Sequence, residues 1–230
     1  MRIEVIATSG DDVIRACSGG ADRIELVTGI LEGGLTPSLG LLDYAASHAD
    51  IPVHVMIRPH SRSFRYDASD LLVMRRDIRE ARRAGAAGIV IGALTPEGRV
   101  DRTALLPLLE EAEGMNVTFH RAFDEARDLD EALDDVLLLP RVNRILTSGG
   151  QASAADAADV LARLSGRLAG SDVRVLAGSG LTPTSIGSFM ARSGVREVHF
   201  GRGVRTNGSY ADPIDPAIIR SMKQRADRPD

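Results

Sequence analysis

The regular alternation of short apolar segments with helix-forming segments most constrains how this chain folds. Eight apolar segments recur along the sequence, about every 20 to 35 residues, and a helix-forming segment follows each of them. Short apolar runs of this kind, separated by amphipathic helices, are typical of parallel strands whose two faces are both buried. The expected strands cover residues 3–7, 22–26, 53–57, 88–92, 117–120, 144–148, 173–177 and 197–200.

Eight consecutive strand–helix units fit two α/β folds, the closed barrel and the doubly wound open sheet. The open sheet usually carries a glycine-rich dinucleotide fingerprint in its first turn. The first turn here reads Thr8-Ser9-Gly10-Asp11 and has no such fingerprint. The sequence therefore predicts a single-domain (β/α)8 TIM barrel over residues 1–230, with residues 213–230 forming a C-terminal helix and tail.

Helix starts are predicted from residues that cap the first turn of a helix. Ser9, Asp101 and Asp128 stand where a helix N-cap is expected. Thr36 and Thr182 are each followed by proline, the order expected of an N-cap and a first helical residue. Further helices are expected over residues 70–84, from residue 153 and from about residues 215–216.

Charge and composition exclude several classes of function. The net charge is −4 and aromatic residues make up 3% of the chain, whereas a nucleic-acid-binding protein normally has a basic excess and aromatic stacking platforms. No apolar stretch reaches the length of a membrane span, and no signal segment precedes the first strand. The single cysteine permits no internal disulfide bond. We therefore expect a cytoplasmic protein with neither nucleic-acid nor membrane partners.

Polar side chains gather at the carboxyl ends of the expected strands, where TIM barrels carry their active sites. Glu25, Arg58 and His120 each lie at the end of a strand, and Arg121 and Asp124 follow the fifth strand directly. These five residues are the predicted catalytic set, with His120 as a general acid/base and the arginines as anion binders. Two structural alternatives stay open: Glu25 and Arg58 form an ion pair inside the barrel, or His120 is an interior histidine with no catalytic role.

Glycine turns follow the last two strands, at the place where many barrels bind phosphate through backbone N–H groups. Gly178 and Gly180 belong to the first turn, and Gly201 and Arg202 belong to the second. The alternative is that these glycines only form tight turns. The predicted set of residues that bind a small anionic or phosphorylated ligand is Ser148, Gly149, Gly178, Gly180, His199, Gly201 and Arg202.

The sequence gives little support for a metal site. It has no His-Glu-x-x-His pattern and no pair of cysteines, and Cys17 lies beside apolar residues of the first helix. If the chain binds a hard divalent ion, Glu25, His120 and His199 are the residues expected to ligate it. We predict no metal site and leave the cofactor unknown.

Five motifs resemble the CutC family of copper homeostasis proteins. They are GADRIEL at 20–26, EGGLTPSLG at 32–40, MIRP at 56–59, VTFHRAFD at 117–124 and ILTSG at 145–149. The resemblance runs from about residue 3 to about residue 203, and motifs of this length in this order are highly specific. It implies a TIM barrel, a cytoplasmic location, a homo-oligomer (a dimer or a tetramer) and an association with copper.

The sequence departs from the family pattern where copper(I) ligands are expected. Family members for which copper(I) binding is proposed carry cysteines near the ends of the first two strands, and this chain has Ile6 and Val27 in those positions. Neither side chain can bind a metal. Two hypotheses follow. The resemblance implies a CutC-family protein associated with copper homeostasis and copper binding. The residues favour the alternative, an enzyme that acts on a small anionic or phosphorylated metabolite.

Overall fold

Eight parallel strands close into a barrel in a computed structural model that describes residues 1–226. Each strand pairs with the next along the chain, and the last pairs with the first, so the predicted TIM barrel is confirmed. The strands are β1 (Arg2–Ala7), β2 (Arg23–Leu26), β3 (Val53–Met56), β4 (Gly88–Ile91), β5 (Asn116–Phe119), β6 (Val142–Thr147), β7 (Arg174–Ala177) and β8 (Glu197–Phe200).

An outer layer of eight helices surrounds the barrel. The helices are α1 (Gly10–Gly19), α2 (Leu39–His48), α3 (Ala68–Arg83), α4 (Arg102–Glu111), α5 (Leu129–Leu137), α6 (Ala158–Arg167), α7 (Ile186–Ser193) and α8 (Pro216–Ala226). No helix within residues 1–226 has the length and apolar character needed to cross a membrane. The predicted C-terminal helix is confirmed, while residues 227–230 of the predicted tail lie outside the described part of the chain.

Side chains alternate between the inside of the barrel and the helix layer, as the period of a strand requires. On β3, Val53 and Val55 belong to the large core between strands and helices, whereas Met56 packs inside the barrel. Ile6 and Val27 join Met56 in that interior cluster. The two positions at which the CutC resemblance expects cysteine are therefore occupied by apolar side chains in contact with other apolar groups.

Three of the predicted N-caps are confirmed. The side chains of Ser9, Asp101 and Asp128 each accept a hydrogen bond from a backbone N–H in the first turn of α1, α4 and α5. Two other predicted starts were displaced, one too late and one too early in the chain. Helix α3 begins at Ala68 rather than residue 70, because Asp67 forms a capping box with Asp70. Helix α6 begins at Ala158 rather than residue 153.

Both threonine–proline helix starts are wrong. Thr36 is bound to the end of β3 instead, since its N–H donates to the Arg58 carbonyl and its hydroxyl accepts the Arg58 N–H at 2.9 Å. Helix α2 consequently begins two residues later than predicted, at Leu39, with Ser38 as its N-cap. Thr182 accepts the Ser185 N–H at 3.1 Å in a separate turn, and α7 starts only after that turn.

One buried ion pair joins α1 to the loop that follows β8. The guanidinium of Arg205 donates to both carboxylate oxygens of Asp12, at 3.1 and 2.7 Å, and also to the Ile6 carbonyl at 3.3 Å. Both side chains are almost completely buried. Because water cannot replace a lost partner there, removal of either charge leaves the other uncompensated.

We expect Asp12→Asn to lower the free energy of unfolding by about 3 kcal/mol, since it leaves the Arg205 guanidinium buried without its counter-charge. The neighbouring substitution Asp11→Asn is the matched control. Its carboxylate pairs with Arg15 on the surface and is 63% exposed, so its loss should cost less than about 1 kcal/mol. Urea denaturation of the two variants measures both values. Equal effects would contradict the structural role of the buried pair.

Candidate functional site

A cavity of about 430 Å³ opens at the carboxyl end of the barrel strands. Its wall is largely apolar, with a few polar groups, which is the usual character of a small-molecule site. Eight of the predicted site residues line it: Glu25, Arg58, His120, Arg121, Gly180, His199, Gly201 and Arg202. The other four predicted residues, Asp124, Ser148, Gly149 and Gly178, lie behind the cavity wall.

Arg58 projects from the end of β3 and is 7% exposed. The ion pair with Glu25 that was considered from the sequence does not form. One terminal nitrogen of Arg58 instead donates to the backbone carbonyls of Glu32 and Gly34, at 3.0 and 3.2 Å. The guanidinium carbon lies 4.5 Å from the centre of the Phe64 ring. Within residues 1–226 the Arg58 Nε has no hydrogen-bond partner, so a buried cation here lacks an anion.

His120 follows the last residue of β5 and caps the 3-10 helix Arg121–Glu125. Its Nδ1 accepts the Ala122 N–H at 3.1 Å, so in the neutral ring Nε2 carries the hydrogen. Burial and the nearby Arg58 charge lower the pKa of His120 to about 3, which keeps the ring neutral at physiological pH. Nε2 is buried and has no partner among the described residues. His120 therefore presents an unused N–H donor in the cavity wall.

Two close contacts fix the position of the His120 ring. A Cβ placed on Gly92 would lie 2.7 Å from the ring Nδ1, so only glycine at the end of β4 leaves room for it. The other face of the ring packs near Phe64, with ring centres 4.7 Å apart. Since Phe64 also packs against Arg58, the Arg58 cation and the His120 donor belong to one corner of the cavity.

Glu25 and His199 face each other inside the barrel, at the ends of β2 and β8. One Glu25 carboxylate oxygen lies 3.7 Å from His199 Nε2, and the other has no partner among residues 1–226. Burial raises the pKa of Glu25 to about 7, while the positive charge of His199 opposes this and the negative charge of Glu4 adds to it. A carboxyl group with that pKa can both accept and release a proton near neutral pH.

Several charged residues that lie below this pair, toward the amino ends of the strands, were not among the residues predicted from the sequence. Glu4 of β1 accepts hydrogen bonds from Arg23 and from His199. Arg23 also pairs with Glu197 at 3.1 Å, and Glu197 pairs with Arg144 at 2.8 Å. The sequence did contain a signal for this network, because Glu4 lies between Ile3 and Val5. A charged residue at an inward position of an otherwise apolar strand needs a buried partner. Its partners come from strands distant in sequence, so the network itself was not readable.

Asp124 does not line the cavity, and its carboxylate is bound to the end of β6, to the loop after it and to Arg121, whose Nε donates to it at 2.8 Å. Its carboxylate accepts the backbone N–H groups of Ser148 and Gly150, at about 3.0 Å in each case, and the Thr147 hydroxyl. Ser148 is fully buried and is bound to Asp124 and to Arg121, whose Nη2 donates to the Ser148 hydroxyl at 2.9 Å. These contacts tie the loops after β5 and β6 together, and Arg121 extends from them to the cavity.

The glycine turns form the opposite side of the cavity mouth. Ser179 has a φ of 77° and Gly180 a φ of 70°, so this turn is left-handed, and the serine adopts a conformation rare for a residue with a side chain. A Cβ placed on Gly201 would lie 2.1 Å from the Tyr210 hydroxyl, so glycine is required where Tyr210 covers the second turn. Arg202 is exposed at the rim.

Three donor groups of the site are close enough together to be considered as metal ligands. Ligand atoms of Glu4, Glu25 and His199 lie within 4.8 Å of one another. Both Glu4 oxygens, however, already accept hydrogen bonds from Arg23 and His199, and the guanidinium repels a cation. Copper(I) prefers sulfur, and among the described residues that line the cavity only Met56 has it, since Cys17 lies on α1 outside the barrel. The residues present do not fit copper(I).

Two curated relatives show where the chain belongs. A family protein CutC from Photobacterium profundum is 42% identical over 206 residues, which cover 89% of this chain and 83% of the relative. A family protein CutC from Caulobacter vibrioides is 44% identical over 220 residues, or 96% of this chain and 85% of the relative.

Solved structures agree with this assignment. The proposed copper homeostasis protein CutC from Streptococcus agalactiae superposes with a TM-score of 0.81 and 28% identity, covering 87% of this chain and 98% of that one. Phosphoribosyl anthranilate isomerase from Thermococcus kodakaraensis superposes with a TM-score of 0.63, covers 99% of each chain and is 18% identical, which shows a shared fold alone. The sequence profile of the CutC family matches residues 1–204. The chain belongs to the CutC family.

Proposed function

We propose that the protein is an enzyme that transfers a proton to or from a small anionic organic substrate bound in the barrel cavity. One observation carries the proposal: three buried polar atoms without partners among residues 1–226 belong to side chains that line the same cavity. They are Arg58 Nε, His120 Nε2 and a carboxylate oxygen of Glu25. Buried polar atoms are nearly always hydrogen-bonded, so a set of unpaired ones at a cavity indicates a missing ligand.

Arg58 and His120 support an anionic substrate. The Arg58 guanidinium is buried without a carboxylate partner, and an anionic ligand would supply the missing counter-charge. His120 offers a neutral N–H donor beside it, which suits an oxygen that gains negative charge during a reaction. A neutral donor whose other nitrogen is already bonded is a poor general base. We therefore move the acid/base role from His120, where the sequence suggested it, to Glu25.

Glu25 supports proton transfer as the reaction type. Its pKa of about 7 is matched to proton transfer at neutral pH, whereas an ordinary glutamate is a much weaker base. The surrounding wall includes the apolar side chains of Ile6, Met56 and Leu146, and Glu25 is only 2% exposed, which maintains the raised pKa. The glycine turns at the rim stay a candidate phosphate site, and Arg202 adds a positive charge there.

Copper handling remains associated with the family through the name of its Streptococcus agalactiae member. We do not extend copper binding to this chain, because the cavity has no thiolate and the two family cysteine positions are Ile6 and Val27. A cytoplasmic location and a homo-oligomer accompany the proposal as expectations from the family resemblance.

We expect small organic anions to raise the melting temperature of the wild-type protein, and Arg58→Gln to abolish the rise. A ligand that binds only the folded state stabilises it by mass action. The probes are inorganic phosphate, simple carboxylates and phosphorylated metabolites in a thermal-shift assay, with copper(I) as a comparison. The matched control is Arg62→Gln on the same loop, whose side chain is 75% exposed and should not affect binding. A response to copper(I) alone would contradict the proposal.

The reaction is tested with the anion that gives the largest thermal shift, incubated with the protein in D2O. We expect deuterium to enter a carbon-bound position of that anion, and Glu25→Gln to slow the exchange about 10²- to 10⁴-fold. Proton NMR of the anion measures the rate. The control is Glu125→Gln, an exposed carboxylate near the site that does not line the cavity. Exchange that survives Glu25→Gln would refute the assigned role, and binding without exchange would refute proton transfer at carbon.

A further inference from the structure

We propose that His199 and Glu25 act as one proton-transfer pair and that Glu4 is a positioning residue, which sets the orientation and charge of His199. The inference rests on the proposed function, because it describes how the same site is supplied with its proton. Neither role was expected from the sequence: Glu4 was not a candidate, and His199 was predicted only to bind an anion.

The hydrogen bond between Glu4 and His199 fixes which ring nitrogen faces the cavity. A Glu4 carboxylate oxygen lies 2.7 Å from His199 Nδ1, and its other oxygen accepts from the Arg23 guanidinium. A carboxylate paired with a buried arginine is ionised and can only accept, so Nδ1 must carry a hydrogen. Nε2 then faces Glu25 across 3.7 Å. The three side chains thus have the order carboxylate, imidazole, carboxyl.

A second layer of contacts holds Glu4 in place. Arg23 is itself bound to Glu197, and Glu197 is bound to Arg144, so the support extends across the barrel interior. The glycine after β7 makes room for the His199 ring, because a Cβ placed on Gly178 would lie 3.3 Å from the ring Cδ2. These contacts leave His199 one orientation, as a positioned proton carrier requires.

The charges around His199 favour its protonated form. Burial alone would lower the pKa of His199, but the carboxylates of Glu25 and Glu4 raise it above the ordinary value, and the Arg23 charge only partly opposes them. For Glu4, burial alone would raise the pKa, yet Arg23 and His199 hold it far below its usual range. Glu4 therefore stays ionised under His199 throughout the physiological pH range.

The proton balance follows from this arrangement. When protonated Glu25 gives its proton to a bound substrate, it becomes a carboxylate. The Nε2 proton of the His199 cation then moves to Glu25, and neutral His199 keeps its remaining proton on Nδ1, bonded to Glu4. The 3.7 Å gap exceeds a direct hydrogen bond, so the transfer requires a movement of roughly 0.7 Å or one bridging water. In the reverse reaction the same steps run backwards.

Nitrogen NMR of the histidine rings tests the inference without any substrate. The chain has only five histidines, and His199→Gln assigns the signal of interest. In the wild-type protein we expect His199 to lose its charge at a higher pH than an ordinary histidine, and its neutral form to carry hydrogen on Nδ1. A neutral His199 with its hydrogen on Nε2 in the wild-type protein would overturn the inference.

Two charge-removing variants separate positioning from a general effect of the network. Glu4→Gln should lower the pKa of His199 by about one to three units, because it removes an adjacent buried charge. Glu197→Gln removes a buried carboxylate that binds Arg23 but does not touch His199, and should shift the His199 signal much less than Glu4→Gln does. Equal shifts in both variants would overturn the positioning role of Glu4.

Failure of this inference can be distinguished from failure of the proposed function. If no anion stabilises the wild-type protein, the proposed function fails whatever the state of His199. If anions bind and Glu25-dependent exchange occurs while His199 is neutral, the proposed function stands and this inference fails. A Glu4→Gln variant that still binds the anion but exchanges deuterium more slowly, with a changed pH profile, supports both.

Discussion

The site depends on the pairing of charge inside a closed barrel. Water has little access to the barrel interior, so each buried charge requires a partner of opposite sign. Arg23, Glu4, Glu197 and Arg144 satisfy one another in a chain of ion pairs near the amino ends of the strands. Glu4 also binds His199 above this chain, but within residues 1–226 no member of the chain is ion-paired with Arg58 or Glu25. Arg58 and Glu25 therefore remain incompletely paired at the opposite end, where the cavity opens. The polar atoms at the cavity lack partners among the described residues because the charges of the lower ion-pair network are already paired with one another.

The same constraint gives the polar residues different tasks. Arg58 keeps its charge because the carbonyls of Glu32 and Gly34 and the face of Phe64 stabilise it, yet it still lacks an anion. Burial and, to a smaller extent, the Arg58 charge lower the pKa of His120 and hold the ring neutral, so it serves as a donor. Burial raises the pKa of Glu25 far enough that it retains a proton near neutrality, although the His199 charge opposes the shift. A binding corner and a proton-transfer pair thus occupy one cavity. In this account, membership of the CutC family describes ancestry and fold, while the chemistry follows from these side chains.

Much of this arrangement could be predicted from the sequence, because it depends on local periodicity. The eight strands follow from the recurrence of short apolar segments along the chain. The inward aim of Arg58 and the placement of His120 at a strand end follow from the alternation of side chains along a single strand. What failed required knowledge of neighbours distant in the chain. Asp124 had the sequence context of a catalytic acid, but its carboxylate binds the loop after β6. Glu4 was overlooked since its partners lie on β2 and β8, and the chain order alone does not specify which interior side chains meet. Thr36 misled for the same reason, since its partner is the distant Arg58 backbone, whereas Thr182 is engaged in a local turn that precedes the helix.

The most direct measurement is a pH titration of the Glu25 side-chain carboxyl carbon by carbon NMR, with the signal identified by its absence in Glu25→Gln. The account predicts a midpoint near 7, with a second inflection shared with His199, because two interacting groups titrate as a pair. A midpoint near the ordinary value of 4.5 would show that the buried carboxyl is an ordinary ionised group. It would then have no capacity for proton exchange at neutral pH, and the proposed chemistry of the cavity would be contradicted.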